Sequence, residues 1–288
     1  MILRKGDHVR IDAHHHLWTA DYAWLGEPGL ERLRRDYTVD DLRRELPTAK
    51  IDFTVLVEAG QCRLAETERF LALAEQTPEI AGVVGWASLT DPDLPGTIAA
   101  LLAGPGGDLL VGIRDQVQAV ADPAYLARPD VRGALRAIGS AGLAFDLVVR
   151  ADQLPACAAA VQAVPNTMFV LDHLGKPRIT ADGLRDWRDA VAPLAICDNA
   201  VTKLSGLLTE AGPDWTVEAI APFVETALEL FGPDRVMVGS DWPVCELVAS
   251  YADAVAAVTQ CLSGLSPAER AAVEGGTAVH TYDLEINR

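Results

Sequence analysis

Short apolar runs rich in β-branched residues recur along the chain, and segments with helical spacing separate them. Runs of this length and composition are typical of strands in a parallel sheet, where both faces are buried. The sequence predicts eight such strands: Val9–His14, Phe53–Glu58, Ile80–Leu89, Leu109–Gln116, Leu143–Val149, Thr167–Asp172, Val201–Ser205 and Val236–Ser240.

The intervening segments show helical periodicity, and candidate N-caps precede several of them. The caps are Thr38, Asp152 and Thr216, and the clearest helical segments are Val39–Leu46, Ala65–Ala74, Val131–Ile138 and Ile220–Leu230. Strands alternating with helices imply a parallel sheet, and eight such units imply a closed (β/α)8 barrel. The 288 residues fit one such α/β domain over 1–288, and two smaller domains are the competing arrangement. No G-x-G-x-x-G follows a strand, which disfavours a dinucleotide-binding sheet.

Three consecutive histidines end the first predicted strand, just before Leu17 and Trp18. In an extended strand His14 and His16 point to one side, while His15 points to the other side, toward the helical layer. Two imidazoles on one face can hold a metal or a reacting water, and a purely structural pair is the alternative. The segment 19–37 that follows is long for a strand-to-helix connection, so it either covers a substrate or packs on the barrel rim.

The C-terminal ends of barrel strands collect the functional side chains. Asp241 is a candidate general base or metal ligand, with an N-cap or an ion pair as the structural alternative. His173 is a candidate proton donor, or it shares a proton with Asp172 to fix the strand end. Glu58 and Lys203 suit ion pairs equally well. All candidates from these ends are His14, His16, Glu58, Arg114, Asp115, Asp172, His173, Lys203, Asp241 and Trp242.

Charge and composition narrow the possible partners. The formal net charge is −17 and no block of Lys or Arg is present, so nucleic acid is not expected. The apolar runs are far shorter than the ~20 residues that span a bilayer, and the first residues lack a secretory signal. We therefore expect a cytoplasmic protein without a membrane partner. The five cysteines are scattered, which predicts neither disulfides nor a structural zinc site.

Four motifs occur in order: D-A-H-H-H-L-W at 12–18, L-D-H-L-G-K-P at 171–177, K-L-S-G-L at 203–207 and G-S-D-W-P-V at 239–244. With these motifs the chain, from about Arg10 to Tyr282, resembles the amidohydrolase superfamily, specifically its branch of sugar-lactone hydrolases. The resemblance implies a (β/α)8 barrel that opens an aldono-lactone, such as an L-fucono- or L-rhamnono-lactone, to its aldonic acid. It also implies active-site positions for His14, His16, His173 and Asp241.

On this basis we expect Asp241 to activate water for attack on the lactone carbonyl, with His14, His16 or a metal between them stabilising the oxyanion. His173 would assist departure of the ring oxygen. Arg114 is expected to hold the substrate, and Trp18 and Trp242 to stack on the sugar ring. Glu58, Asp115 and Lys203 are further candidates for substrate binding.

Two departures from the family pattern and the metal requirement qualify these expectations. Asp115 stands where a histidine is common and Glu58 where a glutamine is common, which makes the pocket more acidic. Some superfamily members use one or two divalent ions, whereas some lactonases that resemble this chain work without metal. Strand five contains no histidine, so the most we predict is a single zinc bound by His14, His16 and Asp241. A metal-dependent decarboxylase and a non-catalytic sugar-binding barrel are the rival functions.

Overall fold

The structure, a computed structural model that describes residues 8–286, contains an eight-stranded parallel sheet. Each strand pairs with its sequence neighbours, in the order β1 to β8. This arrangement confirms the predicted (β/α)8 barrel. The strands are β1 (Ile11–His15), β2 (Phe53–Val57), β3 (Ile80–Trp86), β4 (Leu110–Asp115), β5 (Ala144–Leu147), β6 (Phe169–Leu171), β7 (Ala200–Leu204) and β8 (Val236–Val238).

Helices follow the strands and surround the barrel. Within residues 8–286, none of them combines the length and the apolarity that a bilayer crossing needs. A π-helical stretch, Ala272–Gly276, joins the tenth and eleventh α-helices. The α-helices are α1 (Val39–Ala49), α2 (Leu64–Glu75), α3 (Leu94–Ala103), α4 (Pro129–Ser140), α5 (Leu154–Ala163), α6 (Ala181–Ala195), α7 (Leu207–Ala211), α8 (Val217–Phe231), α9 (Tyr251–Cys261), α10 (Pro267–Ala271) and α11 (Thr277–Tyr282).

Two of the three predicted N-caps are confirmed. The Thr38 hydroxyl accepts a hydrogen bond from Asp41 N, and Thr38 N donates to the Asp41 carboxylate, which forms a capping box at the start of α1. Thr216 accepts from the backbone of α8 in the same way. The prediction for Asp152 is wrong, because α5 begins at Leu154 and the Asp152 carboxylate is bound by Arg150 Nε at 3.0 Å.

Seven of the eight strands end earlier than the apolar runs predict, whereas β1 ends one residue later, at His15. Strand β6 ends at Leu171 and β8 at Val238, before the candidate residues of both strands. The chain then leaves the sheet through left-handed backbone, with φ of 55° at His173 and 57° at Asp241. Such values are uncommon for residues other than glycine and recur at functional sites.

Apolar side chains form two layers in the described part of the chain. Alternate strand residues such as Val55 and Val57 fill the barrel interior together with Tyr282 and Leu284, which close its lower end. Leu56 and the other outward-facing strand residues pack against the surrounding helices. The upper end of the interior is therefore left for polar side chains.

A hydrogen-bonded clasp closes the barrel between β1 and the end of β8. The buried Asp12 carboxylate accepts from Ser240 N at 2.8 Å and Ser240 Oγ at 2.6 Å. Asp241 N donates to His14 O at 2.8 Å. The clasp thus places the carboxylate after β8 directly beside the histidines of β1.

Candidate active site

Strand β1 contains a bulge next to its histidines. Asp12 pairs with Thr54 and His15 with Leu56, so β1 has one extra residue between these pairs. The Nε2 atoms of His14 and His16 lie 3.2 Å apart. His15 is fully buried on the opposite side, where neither ring nitrogen has a partner among residues 8–286. The expected division of the three histidines between two faces is therefore seen.

Asp241 lies opposite this pair at the bottom of a cavity. Its Oδ1 atom is 3.5 Å from His16 Nε2, 3.8 Å from His14 Nε2 and 4.0 Å from His173 Nε2. Burial alone would raise the pKa of Asp241, but His173, His16 and His14 outweigh that effect and hold the pKa below its usual range. The carboxyl group is therefore ionised at neutral pH and can accept a proton.

His173 faces Asp241 from the end of β6. Its Nδ1 atom is 2.8 Å from Ser205 Oγ, and burial lowers the pKa of His173 to about 4 despite the neighbouring carboxylates. Gly206 backs the ring, and a Cβ there would lie 2.8 Å from His173 Nδ1 and 3.3 Å from Asp241 Oδ2. The imidazole is therefore neutral at neutral pH, and only glycine fits behind it.

A buried ionic network supports the cavity floor. Arg114 Nε donates to Glu58 Oε1 at 2.6 Å and Arg114 Nη1 to Asp172 Oδ2 at 3.0 Å. Lys203 Nζ lies 2.6 Å from Asp146 Oδ2 and 3.1 Å from Asp172 Oδ1. Burial would raise the pKa of Asp172, but Lys203, His14 and Arg114 lower it well below its usual range. Each buried charge thus has an opposite charge within contact distance.

The cavity above this floor has a volume of about 470 Å³ and one polar wall. Lys176 Nζ donates to Gln118 Oε1 at 2.7 Å, and Gln118 Nε2 donates to Gln116 Oε1 at 3.0 Å. Gln116 Nε2 in turn donates to Glu58 Oε1 at 2.5 Å. A row of amide and ammonium groups of this kind offers hydrogen-bond donors and acceptors that hydroxyl groups can use.

Another wall of the cavity is mainly apolar. Trp18 and Trp24 meet edge to face with ring centroids 5.0 Å apart, and Val244 also lines the cavity. Trp24 Nε1 donates to Ala59 O at 2.8 Å, which fixes its ring. Trp24 belongs to the segment 19–37, so this segment both packs on the rim and lines the cavity.

The amidohydrolase family model matches residues 11–284. This chain belongs to the amidohydrolase family. Two curated relatives are L-fucono-1,5-lactonases, from Burkholderia ambifaria at 35% identity over 283 residues and from Burkholderia multivorans at 38% over 294 residues. Each comparison covers 96% of this chain and 96% of the relative. A crystal structure of a Burkholderia multivorans amidohydrolase with bound zinc is similar with a TM-score of 0.90 and 37% identity, covering 96% of this chain and 100% of that one.

The donor atoms on the cavity floor of this amidohydrolase fit one zinc ion. His14 Nε2, His16 Nε2 and Asp241 Oδ1 are separated pairwise by 3.2, 3.5 and 3.8 Å. Ligands at zinc–ligand distances near 2.0–2.1 Å in a tetrahedral site are about 3.3 Å apart. A second group, His14, Asp172 and His173, shares His14 with the first, and its Asp172 already pairs with Arg114 and Lys203.

Five of the predicted site residues line the cavity, and the others lie behind it or elsewhere. The lining residues are His16, Trp18, Arg114, His173 and Asp241. His14 is fully buried and forms the back of the floor. Glu58 and Lys203 are also fully buried and hold Arg114, Asp146 and Asp172 rather than facing the cavity. We predicted that Glu58 and Lys203 bind the substrate. The structure instead places both side chains behind the cavity, where they support the residues that line it.

Trp242 and Asp115 do not line the cavity either. The Trp242 side chain is 1% exposed, packs edge to face on Tyr37, and donates from Nε1 to Glu246 at 2.9 Å. The predicted stacking of Trp242 on a sugar is therefore corrected. The Asp115 carboxylate accepts from Trp86 Nε1 at 3.0 Å and Leu89 N at 3.1 Å, which ties strand β4 to the loop after β3.

Eleven of the sixteen lining residues were not predicted as part of the site, and four of them belong to the polar row and the tryptophan pair described above. Gln116 and Gln118 follow β4, Lys176 lies in the L-D-H-L-G-K-P motif, and Trp24 lies in the segment 19–37. Position after a strand end is the only sequence signal that Gln116, Gln118 and Lys176 share. Nothing in the sequence distinguishes Trp24 from a rim-packing tryptophan.

The remaining histidines and the cysteine near Asp241 lie outside the cavity lining. His8 Nε2 contacts Glu274 at 2.5 Å near the start of β1, and His280 is on α11. Cys245 is buried, and burial together with Asp241 raises the pKa of its thiol well above the usual value. A thiol in that state is a poor nucleophile.

Proposed function

We propose that this amidohydrolase opens a small sugar lactone to its aldonic acid by hydrolysis. The observation that carries the proposal is an ionised carboxylate, Asp241, that faces a neutral imidazole, His173, on the floor of a cavity with amide and ammonium groups in its lining. The two curated L-fucono-1,5-lactonases, similar over nearly the whole chain, support the same substrate class. L-fucono-1,5-lactone is therefore the first compound to test.

In the proposed reaction Asp241 accepts a proton from water as the water oxygen bonds to the lactone carbonyl carbon. Asp241 passes this proton to the neutral His173, whose Nε2 faces it at 4.0 Å. The tetrahedral intermediate then collapses, the bond from that carbon to the ring oxygen breaks, and the protonated His173 gives the proton to the departing oxygen, which restores both groups. The sum is the addition of one water molecule across the ester bond.

Negative charge develops on the carbonyl oxygen during the attack, so that oxygen needs donors. His14 and His16 lie beside Asp241, and Arg114 adds guanidinium N–H groups at the same end of the cavity. We propose that these groups stabilise the oxyanion. A zinc ion held by His14, His16 and Asp241 would, when bound, act as a Lewis acid at the same position. A lactone is an activated ester, so a base, a donor and water suffice for the proposed steps.

The two walls divide the task of holding the sugar. Gln116, Gln118 and Lys176 supply donors and acceptors for ring hydroxyls, while Trp18 and Trp24 offer an apolar surface to the C–H face of the ring. Because Lys176 and the two glutamines are already bonded to one another, their groups are oriented before the substrate arrives.

The direct test is to incubate the purified protein with a panel of aldono-lactones and to follow acid release with a pH indicator, with and without a chelator. We expect L-fucono-1,5-lactone to be opened, with product confirmed by mass spectrometry. Binding without acid release would favour a sugar-binding protein. Release of carbon dioxide from aromatic acids, lost on chelation, would favour a decarboxylase.

A further inference from the structure

The polar wall of the cavity is a hydrogen-bonded row that ends in opposite charges. Lys176 Nζ lies 2.7 Å from Gln118 Oε1 at one end, and Glu58 Oε1 lies 2.5 Å from Gln116 Nε2 at the other. Between the two ends, Gln118 Nε2 lies 3.0 Å from Gln116 Oε1. An ammonium group can only donate hydrogen bonds, and an ionised carboxylate can only accept them. The charged ends therefore limit how the two amides between them can be oriented.

Glu58 accepts hydrogen bonds at both of its carboxylate oxygens. Oε1 accepts from Arg114 Nε at 2.6 Å as well as from Gln116, and Oε2 accepts from Gly60 N at 2.7 Å. The Glu58 side chain is fully buried, so it cannot turn away from these donors into solvent. Rotating the Gln116 amide by a half-turn would place its oxygen against the carboxylate. Glu58 therefore holds Gln116 with Nε2 toward the carboxylate and Oε1 toward Gln118.

The same restriction passes from Gln116 to Gln118. Because Gln116 Oε1 can only accept, Gln118 must turn its Nε2 group toward it, which leaves Gln118 Oε1 for Lys176. The backbone of Gln118 is fixed as well, since its N–H group donates to Val148 O at 3.0 Å. All hydrogen bonds of the row thus run in one direction, from Lys176 to Glu58.

The row leaves a defined set of groups for a ligand. Each amide uses one hydrogen and one oxygen lone pair within the row and keeps one of each. Gln116, Gln118 and Lys176 line the cavity, so these remaining groups are available there. Lys176 offers only N–H groups, so a sugar hydroxyl that reaches this end of the row has to accept. The order of donors and acceptors along the wall is consequently set before a ligand binds.

We infer that Glu58 is a positioning residue that fixes the direction of this row, and that Lys176 is a specificity-determining residue at its other end. Among residues 8–286, Glu58 does not line the cavity, so it acts on a ligand through Gln116. The row disfavours a ligand with the opposite order of donors and acceptors, because turning both amides would leave two oxygen atoms facing each other at Glu58. This inference rests on the proposed function and names the groups by which that site would recognise its sugar.

Three replacements of Lys176 test the direction of the row. Lys176→Gln keeps an N–H donor for Gln118, Lys176→Met removes the donor, and Lys176→Glu offers only acceptors to an oxygen that cannot turn away. All three new side chains have unbranched stems, so each meets the left-handed backbone at this position, with φ of 56°, in a similar way. The measurement is KM and kcat for the lactone that is opened fastest, on variants whose folding is checked by circular dichroism.

We expect KM to rise in the order Lys176→Gln, Lys176→Met, Lys176→Glu. The rise should be roughly fivefold for Lys176→Met, the scale on which one hydrogen bond contributes, and about fivefold more for Lys176→Glu. Lys50→Glu is the matched control, because Lys50 is an exposed lysine outside this cavity with nearly the same backbone, φ of 57°. The same change of charge there should alter KM by less than about twofold.

A row that could turn would give a different result. Gln118 would then donate to the new carboxylate, and Lys176→Glu would bind the lactone no worse than Lys176→Met, which would overturn the inference. A ranking that appeared in kcat rather than in KM would overturn it as well, because Lys176 would then act on the reaction and not on recognition.

The direction of the row can also be observed without turnover and without a variant. Neutron diffraction from deuterated wild-type crystals distinguishes each amide nitrogen from its oxygen by the deuterium that the nitrogen carries. We expect Gln116 Nε2 to face Glu58 and Gln118 Nε2 to face Gln116, and the reverse orientation of either amide would overturn the inference. If the wild type opens no lactone, the proposed function is refuted, while this measurement still decides the direction of the row.

Discussion

The floor and the walls of the cavity are built on different principles. Floor residues project from strand ends or the turns just after them, are nearly or fully buried, and contact groups of opposite charge or fixed hydrogen-bond partners, as Asp241, Lys203 and Arg114 show. Wall residues such as Gln118 and Trp24 come from loops and retain contact with the cavity. Chemistry therefore depends on the rigid part of the barrel, and selection among sugars depends on the loops.

The largest effect is expected on the floor, at the proposed base. Replacing Asp241 by Asn keeps the shape of the side chain but removes its ability to accept a proton, so kcat should fall by roughly 100-fold or more. Steady-state kinetics on the lactone that is opened fastest would measure this. Asp115→Asn is the matched control, because Asp115 does not line the cavity, and its kcat should stay within about threefold. Near-normal turnover in a folded Asp241→Asn variant would remove Asp241 from the mechanism.

The ionic network beneath the floor should be sensitive to loss of one partner. Arg114→Met leaves the buried Glu58 carboxylate without its cation, which costs about 3 kcal/mol or more of unfolding free energy. Denaturation in urea measures the change. Arg43→Met breaks an exposed pair with Glu79 and should alter stability little. Equal stability losses in the two variants would contradict the distinction between buried and exposed pairs.

A smaller effect, on KM, is expected at the polar wall. Gln118→Leu removes one amide from the row that faces the sugar, and a lost hydrogen bond of about 1 kcal/mol corresponds to a roughly fivefold higher KM. The value of kcat should change little, because Gln118 does not contact Asp241 or His173. Gln162→Leu, the same change on helix α5 outside the cavity, is the control. A drop in kcat without a change in KM would place Gln118 among the floor residues instead.

The smallest effect is expected on the outer face of β1. Since His15 is buried and neither ring nitrogen has a partner among residues 8–286, His15→Leu removes two buried polar atoms without breaking a hydrogen bond in that part of the chain. Unfolding free energy should stay the same or rise by up to about 1 kcal/mol, with kcat unchanged. Thermal denaturation and the lactone assay together check this. A clear loss of activity would mean that the two faces of β1 are not independent.

Much of the fold follows from the sequence because a parallel barrel repeats one pattern. Each buried strand must be apolar on both faces, so runs such as Phe53–Val57 and Ala200–Leu204 are visible without further information. The strand ends were harder to predict. Asp172 and Asp241 continue apolar runs in the sequence, but the backbone leaves the sheet before them, and alternation of polar and apolar residues contains no signal for that change.

The cavity floor could be predicted from the sequence better than its walls. Because the C-terminal ends of barrel strands converge, we predicted that His14, His173 and Asp241 lie close together. In the structure both imidazoles lie within 4.0 Å of the Asp241 carboxylate. The burial of Trp242 could not be predicted, because it depends on Tyr37, which is distant in the sequence. The β1 bulge was also missed, since one extra residue in a strand leaves no mark on its composition.

The clasp between Asp12 and Ser240 joins residues 228 positions apart, and the proposed base is the next residue after Ser240. The active site therefore lies on the seam where the first and last strands of the barrel meet. Closing so long a loop costs conformational entropy, so this contact is expected to form among the last during folding. Fragments that lack either end of the barrel could each form strands and helices, yet neither would hold His14 beside Asp241. Lactone turnover should consequently appear only when the whole barrel has closed, which would make activity a sensitive reporter of the final step of folding.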